Sequence, residues 1–248
     1  MQELVYGLHA SLAVLDKQLD DVEEVLVQAN VGTNARLRRL EQRAKQKGLR
    51  VTRMPRKELD DIVGTSRHQG VVLRCKQNEN GLDEDTIDDI MKDLTTPALI
   101  LVLDGIQDPH NLGACLRTAE AAGVNAVIAP KDRAAGITST VRKVSCGAAE
   151  RLPFIQVTNL SRTLERLQGL GVWITGTDAT ASKTIYNVDL TGDVALVIGG
   201  EGKGIRQLTR EHCDFLVGIP MLGGAESLNA SVAAGVCLYE ARRQRLLF

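Results

Sequence analysis

Apolar and polar positions over residues 97–248 come in alternating blocks. Six short apolar runs, at 98–103, 126–129, 154–157, 172–175, 194–198 and 215–219, are bounded by polar or glycine-rich stretches and read as strands buried on both faces. Helical stretches fall at 112–122, 139–146, 160–167, 205–212 and 228–245. Strand and helix taking turns in this way predict an α/β fold with a mainly parallel sheet. Residues 1–77 read as a separate small α/β module. It has an apolar run at 24–27, Leu37, Leu40 and Ala44 at helical spacing, and further strands at 49–52 and 70–75. The polar, acidic stretch 78–96 between them reads as a linker followed by a short helix that ends at Leu94.

Composition narrows the class. With 44% hydrophobic and 25% charged residues, the 248-residue chain is neither disordered nor fibrous. No apolar run is long enough to span a bilayer and no leader pattern opens the chain, so a cytoplasmic location is expected, with no membrane partner. The five cysteines, at 75, 115, 146, 213 and 237, have no C-x-x-C spacing; reduced, buried thiols and no metal site are expected.

The net charge of −1 hides a segregation: residues 1–77 are basic and 78–96 strongly acidic. From Arg36 to Lys57 there are ten basic residues, with Glu41 the only acid among them. Such a run reads either as a solvated helix face or as a surface for nucleic-acid phosphates, and its density favours the second. Arg36, Arg38, Arg39, Arg43, Lys45 and Lys47 are the candidate contacts. Three Phe, three Tyr and one Trp are too few for recognition by stacking many bases.

Ligands of parallel α/β sheets sit beyond the carboxyl ends of the strands, which directs attention to the loops after Leu103, Thr175, Ile198 and Ile219, three of which carry candidate side chains. After Ile198 comes Gly199-Gly200-Glu201-Gly202-Lys203-Gly204, which allows close backbone approach to a ligand. It fits neither common nucleotide pattern, because Lys203 is followed by Gly204 where a P-loop needs Ser or Thr, and the glycines at 200, 202 and 204 are misplaced for G-x-G-x-x-G. In the second loop Asp108 and Pro109 read as an N-cap and first helical residue. Asn111 and Arg117, six apart, would lie on roughly opposite sides of a helix, so a shared site needs Asn111 in a loop. The third loop runs from Ile219 to Ser231, with Ser227 read as the N-cap of the last helix and Asn229 as not needed for capping.

Asn111-x-Gly113 with Arg117-Thr118-Ala119, the loop Ile198 to Gly204, and Ile219-Pro220-Met221 running to Ser227-Leu228-Asn229-x-Ser231 together resemble the three motifs of the SpoU-type branch of the SPOUT RNA 2′-O-ribose methyltransferases. The resemblance covers 97–248 in order. With Tyr6-Gly7-Leu8-His9 and His68-Gln69-Gly70, the whole chain looks like the bacterial members that act on a guanosine of 23S ribosomal RNA.

The resemblance implies a deep trefoil knot, a homodimer and an RNA-binding domain over 1–77. It also implies S-adenosylmethionine held against Thr175, Gly176, Thr177, Gly199, Glu201, Ile219, Met221 and Leu228. Asn111, Arg117, Glu201, Ser227 and Asn229 would form the catalytic group, with Arg117 stabilising the developing ribose alkoxide. A transfer-RNA methyltransferase of the same family and a non-catalytic RNA-binding protein are the alternatives.

Overall fold

The structure is a computed structural model that describes residues 2–17, 19–30, 34–76, 82, 84–202 and 204–246. Most of the expected linker core (78–81 and Asp83) and Lys203 lie outside the described residues. In chain order the elements are β1 (Gln2–Tyr6), α1 (Leu8–Lys17), β2 (Val22–Gln28), α2 (Ala35–Gln46), β3 (Val51–Met54), α3 (Arg56–Val63) and β4 (Val71–Lys76). There follow α4 (Thr86–Asp93), β5 (Leu99–Asp104), α5 (Pro109–Ala121), β6 (Ala126–Pro130), α6 (Ser139–Ser145), α7 (Ala148–Arg151), β7 (Phe154–Val157) and α8 (Leu160–Gly169). The last are β8 (Trp173–Thr177), β9 (Lys183–Thr184), β10 (Val194–Gly199), α9 (Gln207–Glu211), β11 (Phe215–Gly218) and α10 (Ala230–Arg245).

The chain forms two compact units, Met1–Glu79 with Ile137–Arg151, and Asn80–Gly136 with Leu152–Phe248. The first is built on a four-stranded sheet in the order β1-β4-β2-β3. Alternation along its strands sends Val25, Val27, Val71 and Leu73 to one face, under Leu37, Leu40 and Ala44 of α2, and Leu26 and Val72 to the other, under Leu59 of α3. β1, α1 and α3 were not expected. α1 buries Ala10, Ser11, Ala13, Val14 and Leu15 on nearly all sides and so carries no 3.6-residue stripe, while α3 buries only Leu59. α6 and α7 also belong to this unit; at Gly147, just before α7, a Cβ would stand 3.1 Å from Ala13 Cβ of α1. The sequence grouped them with 97–248, because a short amphipathic helix does not reveal locally which core it joins.

In the second unit seven strands run in the order β7-β6-β5-β10-β8-β11-β9, and all their pairings are parallel. β5 is buried at every position, as its unbroken apolar run predicts. Ile100, Val102, Ile128, Ile155 and Val197 form one core with α8 residues Leu160, Leu164 and Leu167. The six expected strands agree with the observed ones to within two residues. β9, two residues long, is too short to leave a pattern. Parallel pairing of adjacent β5, β10, β8 and β11 gathers the loops after all four at one edge, and that edge carries the site. Cys75, Cys115 and Cys237 are buried as expected, while Cys146 and Cys213 are only partly so.

Candidate functional site

The glycine loop after β10 is set by steric exclusion. A Cβ on Gly199 would lie 2.1 Å from the carbonyl carbon of Gly204 and 2.3 Å from the nitrogen of Ile205, and one on Gly200 would lie 2.5 Å from the Gly105 carbonyl oxygen. Only glycine permits such approach. The loop closes on itself where the Gly204 N–H donates to the Gly200 carbonyl, 3.0 Å, and Gly202 and Gly204 take positive φ. Asp104, fully buried at the end of β5, fastens the far side. Its carboxylate accepts from the Arg206 backbone N–H at 2.8 Å and from Arg206 Nε at 2.5 Å, and its carbonyl accepts from the Gly200 N–H. Both carboxylate bonds leave one residue, so the loop's exit is held in two directions.

This loop presents Glu201 to two amides from other elements. Asn111 Nδ2 and Asn229 Nδ2 both donate to Glu201 Oε1, the second at 3.1 Å, and Asn229 Nδ2 also donates to Asn111 Oδ1 at 3.0 Å. Three residues separated by up to 118 positions thus form one closed polar network. Glu201 Oε2 has no partner in it.

Two expectations are corrected. Asn111 is helical, in the first turn of α5, because Asp108 caps this helix (His110 N–H to Oδ1, 2.8 Å) and Pro109 starts it. The cap of α10 is Asn229, whose Oδ1 accepts from the Ser231 N–H at 2.9 Å and hydroxyl at 2.6 Å. Ser227 stands two residues too early to reach those donors. Asn229 therefore does two tasks with one amide: its oxygen caps and its nitrogen holds Glu201.

Beside the network opens a cavity of about 600 Å³, the size of a small-molecule site. Of the expected cofactor residues, Thr177, Gly199, Glu201, Ile219, Met221 and Leu228 line it, and so does Ser227. Thr175 and Gly176 do not. Thr175 is buried within β8, and the space a Gly176 side chain would need is filled by Cys213 Sγ and Ile205 Cδ1. Asp178, Thr180 and Arg210 line the cavity without having been expected there. Burial works to raise the Asp178 pKa, but the Thr180 N–H and hydroxyl and the Arg210 guanidinium outweigh it and hold the carboxyl below its ordinary value. The available signal was position, since Asp178 follows Thr177 at the carboxyl end of a parallel strand.

Arg117 lies apart. It is exposed on α5, does not line the cavity, and has no hydrogen-bond or ion-pair partner among the described residues.

The basic stretch of the first unit is also sorted by the structure. Arg43 pairs with Asp16, Lys45 with Glu41 at 2.8 Å, and Lys47 Nζ donates to the Leu15 carbonyl at 2.6 Å. Glu41, nearly buried, also binds Arg53 through Nε at 3.1 Å and Nη2 at 3.0 Å. The Arg53 hydrogen bond, opposed by burial and helped by Lys45, lowers the Glu41 pKa. Arg36 and Arg39 are exposed on α2 and have no partner among the described residues. No group of three His, Cys, Asp or Glu able to hold a metal ion, and no helix long and apolar enough to cross a membrane, occurs among the described residues.

A parallel α/β sheet with three loops walling a cofactor-sized cavity, and a carboxylate held there by two amides, defines the chain as an enzyme-like α/β binding fold. The chain belongs to the SpoU rRNA methylase family, whose model matches residues 98–239, and the RNA 2′-O ribose methyltransferase substrate-binding model matches residues 4–81. It is 54% identical over 241 residues to the 23S rRNA (guanosine-2′-O-)-methyltransferase RlmB of Coxiella burnetii, covering 97% of this chain and 95% of that one. It is 50% identical to RlmB of Vibrio vulnificus, over 98% of both chains. Among solved structures, the SpoU methyltransferase AviRb of Streptomyces viridochromogenes, in complex with the cofactor AdoMet, superposes with a TM-score of 0.82. Identity to it is 25%, over 100% of this chain and 92% of that one.

Proposed function

We propose that the protein transfers a methyl group from S-adenosylmethionine to the ribose 2′-hydroxyl of a guanosine in 23S ribosomal RNA. Half-identity over nearly the full length to enzymes named for that reaction supports the substrate. The observation that carries the site is the Asn111–Glu201–Asn229 network at the mouth of the cavity.

The residues present suit the cofactor. Glycine backbone at 199, 200, 202 and 204 leaves room for an adenosine-sized ligand, Ile219, Met221 and Leu228 offer apolar contact, and Asp178 and Glu201 suit a cationic sulfonium compound. When bound, the cofactor supplies a methyl group already activated for transfer. The chain's task is to place the weakly nucleophilic hydroxyl and manage its proton. Glu201 Oε1 is occupied by the two amides, so its Oε2 faces the ribose and accepts the hydroxyl's hydrogen bond. Asn111 and Asn229 fix the carboxylate's angle.

Arg117, a permanent cation, stabilises the developing alkoxide and a neighbouring phosphate as a donor, and the hydroxyl proton is lost late, to solvent, as the O–CH3 bond forms and the S–CH3 bond breaks. Arg117's lack of a partner among the described residues fits a homodimer in which the site lies beside the subunit interface. A deep trefoil knot belongs to the same reading. It is supported by the strand order β5-β10-β8-β11, in which sequence-distant strands lie side by side.

Residues 97–248 carry the chemistry, with 1–77 gripping RNA through Arg36, Arg39 and their neighbours in the cytoplasm, where ribosomal RNA is found. Transfer of labelled methyl to protein-free 23S rRNA and to bulk tRNA, with the modified ribose mapped by mass spectrometry, tests this. Label in tRNA alone would refute the substrate, and label in neither would refute the activity.

A further inference from the structure

The first unit contains a second cleft, of about 470 Å³, between the end of β2, the start of α2 and the turn before β4. Its apolar part is Leu8 and Leu37, and around them stand Gln28, Asn34, Gln69 and Arg56. Each of the three amides is half engaged by the backbone. Asn34 Oδ1 accepts from the Leu37 N–H at 3.2 Å, Gln69 Oε1 accepts from the Leu8 N–H at 2.9 Å, and Gln28 Nε2 donates to the Asn30 carbonyl at 3.1 Å. The unused halves are then fixed in identity: Asn34 Nδ2 and Gln69 Nε2 are donors and Gln28 Oε1 is an acceptor, all without a partner among the described residues.

Gln69 is held in this pose at a cost. It adopts φ +57°, a conformation rare outside glycine, followed by Gly70 at φ +84°. The turn is anchored by fully buried His68, whose Nδ1 accepts from the Gly70 N–H at 3.0 Å while Nε2 donates to Asp60 Oδ1 at 2.8 Å. Strained residues held by buried partners cluster at binding and active sites, and here the strain serves to aim the Gln69 amide into the cleft.

A site for an anion would present donors alone. Here donors and an acceptor converge over an apolar floor, which matches the edge and face of a nucleobase, and a single guanidinium, Arg56, stands at the side. We propose that this cleft takes one unstacked nucleobase of the RNA substrate. Asn34, Gln69 and Gln28 read its hydrogen-bonding edge, Leu8 and Leu37 pack against its face, and Arg56 holds the adjoining phosphate. The chain's scarcity of aromatics fits recognition by edge rather than by stacking. This inference rests on the RNA methyltransferase reading above and adds a base-reading subsite to it.

The test uses the full chain, labelled S-adenosylmethionine and protein-free 23S rRNA. Asn34→Ser keeps a capping oxygen and the neutral side chain but removes the amide N–H groups, its one hydroxyl standing back at the cap, and Gln69→Glu keeps the oxygen that holds Leu8 and replaces the amide donor by an acceptor. Both are expected to raise KM for rRNA about tenfold, with kcat at saturating rRNA, cofactor affinity and melting temperature unchanged.

Salt separates the roles. The slope of log KM against log salt stays as in the wild type for Asn34→Ser and falls by about one unit for Arg56→Gln. Unchanged KM in both amide variants, or a salt slope altered by Asn34→Ser, overturns the proposal. If the wild type transfers no methyl, the reading of the activity fails separately. Filter binding of the same rRNA then decides for the cleft: tenfold weaker binding by Asn34→Ser supports it and equal binding refutes it.

Discussion

Asn229 joins stability and function through two atoms of one side chain, so two substitutions separate them. Its oxygen caps α10 and its Nδ2 donates to Glu201 Oε1 at 3.1 Å and Asn111 Oδ1 at 3.0 Å. Serine is as good an N-cap as asparagine but lacks the second donor, so Asn229→Ser leaves the helix intact and frees Glu201 on one side. A hydrogen bond to a charged group contributes about 1.5–3 kcal/mol, and because Glu201 is exposed the lower end applies. That corresponds to about a tenfold fall in kcat for methyl transfer. Asn229→Ala removes the cap as well, at about 1 kcal/mol, which lowers the melting temperature by roughly 2–4 °C in a protein of this size. Stopped-time transfer of labelled methyl to 23S rRNA and thermal denaturation read the two effects. Wild-type kcat in Asn229→Ser would refute the role of the network, and equal melting temperatures for the serine and alanine variants would refute the cap.

Gly199→Ala drives a methyl group into the backbone of Gly204 and Ile205, so the loop must move; calorimetry should find S-adenosylmethionine binding lost, and retained binding would show that the loop relaxes freely. Arg117→Ala should keep cofactor affinity, since Arg117 lies outside the cavity, and lose about 10²-fold in methyl transfer; loss of cofactor binding would disprove its assignment. Glu41 has its pKa lowered in the folded state, so its contribution to stability is complete above the ordinary carboxylate value of about 4.3 and fades as pH falls through and below it. Glu41→Gln should therefore flatten the acid limb of the stability curve followed by circular dichroism, and an unchanged limb would contradict the Arg53 pairing.

The sequence by itself determined the class of fold, the six long strands of the second unit and, among the strand-end loops, those after β8, β10 and β11 that wall the cavity, whereas the loop after β5 does not line it. These follow from unbroken apolar runs and from glycine placement, which are properties of neighbouring residues. It also carried the motifs from which Asn111, Glu201 and Asn229 could be chosen. Tertiary structure decided what those residues do. Asn111 and Asn229 meet across 118 residues because parallel pairing puts the ends of β5, β10 and β11 at one edge, and no periodicity encodes that meeting.

Three-dimensional pairing also divided the basic stretch. Glu41, the lone acid, gathers Lys45 and Arg53 around it, while Arg36 and Arg39 stay exposed without a partner among the described residues. Asp104, at the end of β5, and Asp178, just past the end of β8, acquire their roles from Arg206 and Arg210, which reach them only in the folded chain. Local pattern records burial, which each residue carries in its own chemistry. A hydrogen bond or ion pair between distant segments depends on which ends of which strands lie together, and only the folded sheet fixes that.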